Sequence, residues 1–360
     1  MASRSIAAEC LELSLYDYAL PDERIAQTPL AERDGSRLLH LPPGEAAPQD
    51  RAFRDLPDLL RDGDLLVLND TRVRAARLRT QTDNGGSVEI LVLRSVGEGR
   101  YACLVRPGRR MQPGRTLHLG DGLHATVEGE SDGHPGARIV RFHSDSGAPS
   151  VDALIEQLGT VPLPPYIHTT LQDRERYQTV YAGGAPESAA APTAGLHFTP
   201  RIFDDLRNRG ITTTTVRLEV GLATFAPIRA QRIDEHEMHE ERYELPHHAA
   251  EAIAHTRQHG GRVIAVGTTA VRTLETCATG DGGVRAASGA TRLYLRPGSR
   301  FRAVDGLLTN FHAPRSSLLV LLAAFTGTTR WRTAYDHALR SGYRFLSFGD
   351  CMLCWRDDGA

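Results

Sequence analysis

The stretch RVIAVGTTAVRTLE (262–275) reads as a buried strand, RVIAVG, that turns at Gly267 into a helix opened by Thr268 and Thr269. The segments around it repeat the alternation. FTPRIFDDLRNRG is an amphipathic helix stopped at Gly210, TTTTVRLEV is a strand, and HHAAEAIAHTRQHGG is a helix stopped by glycines. Helices alternating with strands predict an α/β domain. The turn also has a chemical meaning. Free N–H groups at a helix N-terminus, with two hydroxyls beside them, suit a carboxylate or a phosphate. Arg272 on the first turn could clamp a carboxylate. A plain turn capped by Thr268 or Thr269 is the alternative. No GxGxxG or GxxxxGK[ST] accompanies the turn, which argues against a Rossmann dinucleotide site and a P-loop.

Toward the N-terminus the pattern changes. Between Arg72 and about His143 the short segments SVEILVLR, YACLVRP, TLHLG, HATVEG and ARIVRFH are separated by glycine-rich turns. That spacing predicts an antiparallel barrel or sandwich. Before it, DLPDLLRDG reads as a short amphipathic helix and DLLVLND as a strand; after it, SVDALIEQLG reads as a helix. The expected architecture is a large α/β (α+β) domain, discontinuous over 1–70 and 150–360. A small antiparallel β-barrel domain is inserted at 71–149.

Composition limits the function classes. Of 360 residues, 41% are hydrophobic and 24% charged, as in soluble globular proteins. The longest apolar run, LLVLLAAF (318–325), is too short to span a bilayer. No signal-peptide core is visible in MASRSIAAECLELSLYDY. A cytoplasmic protein without a membrane partner is expected. The chain has no lysine, so all 42 basic residues are arginine, and Schiff-base chemistry or a lysine base is excluded. Proton transfer falls to His, Asp, Glu, Tyr or Cys. The five cysteines (Cys10, Cys103, Cys277, Cys351, Cys354) are too scattered for a disulfide framework. The lone Cys351–Cys354 pair falls short of the roughly four ligands of a zinc site. Net charge of −2 gives no global pull on nucleic acid. Yet Arg72–Arg115 holds ten arginines against Asp83, Glu89 and Glu98, a local balance of +7. Such a patch suits phosphates, or is simply a solvated surface.

Four further segments gather chemistry. AAAPTAGLHF (189–198) leads an apolar run into Thr193, Gly195 and His197, either as a turn into the core or as a pocket wall. DEHEMHEERYELPHH places His236 and His239 three apart, where they could share a helix face; the spacing is HExH, one residue short of HExxH. LLTNFHAPRSSLLVLLAAF sets Asn310 and His312 just before the most apolar helix, as at a pocket mouth. FLSFGDCML adds Ser347 and Asp350 after an apolar strand.

In order along the chain, VLNDTRV, VPLPPYI, DRERYQTVYA, AAPTAGLHF, GLATF, HEMH, VIAVGTTAVRTLE, LLTNFHAPRSSLL and YRFLSFGD resemble the S-adenosylmethionine:tRNA ribosyltransferase-isomerase family of queuosine biosynthesis. The resemblance runs from about Leu15 to Leu353. It implies transfer and isomerisation of the ribosyl part of S-adenosylmethionine onto 7-aminomethyl-7-deazaguanine at the tRNA wobble position. The product is an epoxycyclopentane, with adenine and methionine released. S-adenosylmethionine is then a co-substrate, tRNA the partner, no metal is needed, and a monomer is expected. Within the matching motifs His197, Glu219, His239, His312 and Asp350 are the candidate catalytic groups. Thr193, Gly195, Gly267, Thr268, Thr269, Arg272 and Asn310 are the candidate donor-binding residues, Gly195 permitting close backbone approach.

The chain departs from the family pattern in places. Glu219 stands for a histidine and Ala223 for a glycine in LEVGLATF, Ala270 for serine in VGTTAVR, Ala75 for proline, Glu240 for serine and Arg296 for tyrosine. The alternative reading is a paralogue that moves the same ribosyl unit to a small-molecule amine or a free 7-deazapurine.

Overall fold

The computed structural model describes residues 11–82, 84–131, 136–184, 186–221, 224, 226–280 and 282–357, apart from the side chains of Arg110 and Pro186. Ala223 and Cys10 lie outside these residues. Contacts divide the chain into two compact units: Met1–Thr71 with Pro164–Gly184 and Ala191–Ala360, and Arg72–Leu163 with Ala185–Ala190.

The first unit opens with β1 (Arg37–Leu41), β2 (Gln49–Ala52), the one-turn helix α1 (Leu56–Leu59) and β3 (Leu65–Asn69). The second holds β4 (Arg72–Val73), β5 (Arg77–Gln81), β6 (Ser87–Gly97), β7 (Arg100–Arg106), β8 (Thr116–Gly120), β9 (Leu123–Glu130), β10 (Ala137–Ser144), helix α2 (Val151–Leu158) and β11 (Pro186–Ser188). The first unit resumes with α3 (Pro200–Asn208), β12 (Thr212–Leu218), β13 (Glu241–Leu245), α4 (His247–Gln258), β14 (Val263–Val266) and α5 (Thr268–Thr276). It ends with β15 (Ala287–Thr291), β16 (Gly306–Asn310), α6 (Ser317–Thr326), α7 (Thr328–Arg340) and β17 (Cys351–Trp355).

The large sheet has nine strands in the order β15-β13-β12-β3-β14-β16-β17-β1-β2. Its centre is parallel: β12 with β3, β3 with β14, β14 with β16. The central strands LLVLN, VIAV and GLLTN are buried at every position, because each strand meets a core on both faces. Alternation sorts their side chains. Leu65, Val67, Val263, Ala265 and Leu307 pack with α4 to α7, while Leu66, Leu68, Ile264, Val266 and Leu308 pack with Phe53, Leu56, Phe198, Ile202 and Leu206 on the other face. Cys351 and Cys354, three apart in β17, fall into opposite cores, so they cannot ligate one ion together.

In the second unit six antiparallel strands run β5-β6-β7-β10-β9-β8. Thr80 of β5 donates its hydroxyl to the His118 carbonyl of β8 at 2.6 Å, which brings the two edge strands together and nearly closes the sheet. Leu123, Ala125 and Val127 of β9 point inward, in alternation with more exposed neighbours. Ser150 caps α2 by accepting from the Ala153 N–H.

Three local expectations are corrected. DLPDLLRDG forms only the single turn α1: Pro57 sits in its first turn, and the chain is extended again at Leu60. The helix after β14 has no threonine cap; its cap position is Gly267, whose φ of +89° is a conformation that glycine adopts without strain. FLSFGDCML is not a strand followed by polar residues: 345–350 is a loop around Leu346, at φ +67°, and the strand begins at Cys351.

Candidate functional site

A cavity of about 280 Å³ lies in the first unit at the carboxyl ends of β14 and β16. In an open α/β sheet this is where ligands bind, because the helix that follows each strand starts there with its N–H groups outward. The wall combines Gly267, Thr268 and Thr269 after β14 with the Thr309–Pro314 segment at the end of β16. Val220 and Thr224, following β12, join it with Thr193, Ala194, Tyr166 and Ser347. Among the described residues no Asp, Glu or Arg lines it. Its two titratable groups among the described residues are His312 and Tyr166.

His312 is held by its backbone and its ring. Its N–H donates to the Tyr335 hydroxyl at 2.8 Å, its carbonyl accepts from the Tyr18 hydroxyl, and its Nε2 lies 3.0 Å from Thr309 Oγ1. Burial depresses its pKa to about 3, so the ring is neutral at pH 7. Burial also pushes the Tyr166 phenol up to about 12; its oxygen is 2.7 Å from Ser347 Oγ.

Asn310 and His197 form a fixed pair. Asn310 Nδ2 donates to the Leu346 carbonyl at 3.2 Å and faces His197 Nε2 at 3.4 Å. These contacts assign the amide orientation and leave Oδ1 buried without a protein partner. With Nε2 accepting, the proton of His197 sits on Nδ1, 2.8 Å from Ser36 Oγ. Burial, reinforced by Arg33 and Arg344, lowers the His197 pKa to about 3. His197 is not on the cavity wall; it reaches the cavity through Asn310.

The first turn of α5 carries no side-chain cap, and Thr269 Oγ1 has no partner. Arg272 differs from expectation. It pairs with Glu241, donates Nε to the Leu293 carbonyl at 3.2 Å, and does not line the cavity. Its position one turn into α5 directs it toward β13 rather than toward the turn. Burial lowers its pKa to about 10, which leaves it charged at pH 7. At Gly195 the close approach is made by protein: an added Cβ would lie 2.0 Å from Tyr181 Oη.

Three other candidates lie apart from the wall. Asp350 accepts from the Arg37 and Arg344 N–H groups at 2.9 and 2.8 Å, tying the 344–350 loop to β1; burial raises its pKa. Glu219 is half-buried and gives its N–H to the Arg242 carbonyl at 3.0 Å, while its neighbour Val220 faces the cavity. His239 is exposed in an extended stretch, and His236 packs on Tyr294 with ring centroids 5.5 Å apart. The 236–239 pair therefore shares no helix face. Among the described residues no group of three or more His, Cys, Asp or Glu could hold a metal ion. The wall residues Val220, Thr224 and Tyr166 were not among the residues singled out in the sequence, whereas Ser347 was. Tyr166 and Ser347 do lie in the quoted motifs VPLPPYI and FLSFGD, which was the available signal.

The cavity wall is thus built from the segments that hold the motif residues, and residues 13–354 match the family model described as "Queuosine biosynthesis protein". The chain belongs to that family. Relatives named S-adenosylmethionine:tRNA ribosyltransferase-isomerase are similar over nearly full length. The protein of Heliobacterium modesticaldum is 52% identical, with 95% of this chain and 99% of that protein covered. That of Symbiobacterium thermophilum is 48% identical, with the same coverage. The crystal structure of an S-adenosylmethionine tRNA ribosyltransferase from Thermotoga maritima is 37% identical. It covers 94% of this chain and 99% of that one, with a TM-score of 0.54. The queuosine family therefore accounts for the mixed α/β sheet and the nearly closed six-stranded sheet together.

Proposed function

We propose that this chain is the S-adenosylmethionine-dependent tRNA ribosyltransferase-isomerase of queuosine biosynthesis. It transfers the ribosyl unit to 7-aminomethyl-7-deazaguanine in tRNA and releases adenine and methionine. The observation that carries this reading is the near full-length match to relatives of that name, joined to a cavity whose wall is made of the matching motifs.

The wall's chemistry supports the roles. A cavity with hydroxyls but, among the described residues, no carboxylate or guanidinium offers a bound sulfonium no counter-charge. Burial then disfavours that cation relative to the neutral thioether left when methionine departs. His312, neutral and fixed against Thr309, is the group available to accept a proton at the wall. Asn310 Oδ1 accepts a hydrogen bond from the substrate, and His197 acts as the positioning residue behind it. Thr193, Gly267, Thr268 and Thr269 form the donor-binding wall. Glu219, His239 and Asp350 act outside it. No metal enters this scheme, and the protein works as a soluble cytoplasmic monomer. We further read 1–70 with 150–360 as the catalytic domain and 71–149 as an inserted barrel that helps hold tRNA.

The test is incubation with S-adenosylmethionine and substrate tRNA, assaying free adenine and the mass of the modified nucleoside. Adenine release that depends on tRNA is expected. Release without RNA would instead point to a small-molecule acceptor, and no release at all would overturn the reading.

A further inference from the structure

Beside the cavity lies a second, smaller pocket of about 30 Å³, lined by Arg33, Ser36, Arg176, His197 and Ser347 among others. Ser347 belongs to both walls, and His197 on this side faces Asn310 on the other. Both arginines are half-buried, and their hydrogen bonds go to main-chain carbonyls. Arg33 donates to Leu196 at 3.1 Å and Glu175 at 2.8 Å; Arg176 donates to Ala31 at 2.9 Å and Leu30 at 2.5 Å. Neither guanidinium pairs with a carboxylate among the described residues. Arg176 Nε and Arg344 Nη1 are buried with no partner. Burial and the like charge of Arg176 lower the Arg33 pKa, against a smaller pull from Asp173 and Glu175. Arg33 and Arg344 both act on the ring of His197. Buried cations are ordinarily paired, and a buried donor left unmade is costly.

We propose that the Arg33–Arg176 pocket binds an oxyanion of a substrate, a carboxylate or a phosphate, at the edge of the reaction cavity. A planar guanidinium fork matches such a group in two-point geometry. Among the described residues the cavity itself has no arginine to receive one, and Arg272 is committed to Glu241. The inference rests on the proposed function only for the source of the anion, which is either the methionine carboxylate of the donor or a phosphate of the tRNA.

The first measurement needs no turnover. Thermal unfolding of the full chain is followed in sulfate and in chloride at equal ionic strength, for the wild type, Arg33→Gln and Arg176→Gln. Sulfate is expected to raise the wild-type midpoint and to raise those of the variants less. An equal shift in all three overturns the proposal. Should Arg176→Gln not fold, Arg176→Lys replaces it; this variant keeps the charge and loses the fork, and the same comparison decides. The second measurement identifies the source. With a donor carboxylate, Arg33→Gln raises the KM for S-adenosylmethionine about tenfold with kcat little changed. With a phosphate, it leaves that KM alone and flattens the salt dependence of tRNA binding by about one log–log unit. If neither quantity moves, the pocket binds no substrate oxyanion. Sulfate binding here in a chain that releases no adenine would overturn the transferase reading and leave this site standing.

Discussion

Arg272 and Glu241 close on one another with only 6% of each side chain exposed. The other carboxylate oxygen of Glu241 accepts from the Gly221 N–H at 3.1 Å and the Thr224 hydroxyl at 3.2 Å. The pair therefore holds the loop that carries Val220 and Thr224 to the cavity wall. Arg272→Ala would strand a buried carboxylate, at a cost of about 3–5 kcal/mol. The measurement is the denaturant midpoint. Arg272→Met with Glu241→Leu should recover only part of the loss: no charge is left buried, but the Gly221 N–H, the Thr224 hydroxyl and the Leu293 carbonyl lose their partners. A wild-type midpoint in Arg272→Ala together with a raised donor KM would restore the carboxylate clamp expected from sequence.

The two buried histidines predict a pH dependence of stability. An unfolded histidine titrates near pH 6.5, whereas His197 and His312 titrate at about 3 in the fold. Between those values the unfolded chain binds more protons. Their contribution is thus complete above about pH 6.5 and is lost as pH falls toward 3, at roughly 1.4 kcal/mol per pH unit for each histidine. Asp350, whose pKa burial raises, works in the opposite sense and offsets part of the loss at the acid end. Urea midpoints should fall between pH 6.5 and 4.5, and the slope should be shallower in His197→Gln. Equal slopes in the two proteins would mean that His197 is not held neutral. Neither ring should put an inflection into the kcat profile between pH 5 and 8.

The central strands β3 and β14 were legible as unbroken apolar runs, and those of the second unit by alternation, as in β9. Gly267, Thr268, Thr269, Asn310 and His312 meet because β14 and β16 are adjacent and parallel, so whatever follows each strand shares one rim. What sequence could not reveal was pairing at long range. Arg272 was read by its helical position, and nothing local announces Glu241, 31 residues earlier on an antiparallel strand. Tyr166 and Ser347 touch across 181 residues. His197 reads as a base from its residue type alone; its contacts with Ser36 and Asn310 and the burial that lowers its pKa are not visible in the sequence. The 345–350 loop was misread because its buried aromatics imitate a strand, while their burial comes from packing a turn onto the core.

Gly195 offers a steric test. An added Cβ would sit 2.0 Å from Tyr181 Oη, 2.9 Å from its Cζ and 2.8 Å from Thr179 Cγ2. Gly195→Ala should cost about 1–3 kcal/mol through overpacking and displace Thr193 and Ala194 from the wall, raising the donor KM as well. Tyr181→Phe in the same chain removes the nearest atom but leaves Cζ, so partial recovery of the melting midpoint is expected. An unchanged midpoint in Gly195→Ala would show that Tyr181 can swing aside.

The arginine-rich segment of the second unit is less free than its composition suggests. Arg74 pairs with Asp152, Arg77 and Arg79 with Glu89, and Arg100 with Glu98. Exposed charge remains at Arg94 in β6, at Arg106, the end of β7, and at Arg109 just beyond it; the side chain of Arg110 lies outside the described residues. If these arginines meet tRNA phosphates, Arg106→Gln with Arg109→Gln should weaken tRNA binding at low salt. The log–log salt slope should flatten by roughly one unit per lost contact. The KM for S-adenosylmethionine should stay unchanged, since neither residue lines the cavity. The measurement is tRNA affinity at several salt concentrations for the wild type and the double variant. Parallel lines would mean that the two arginines are solvated surface, and the phosphate contacts would have to be sought on another face of the protein.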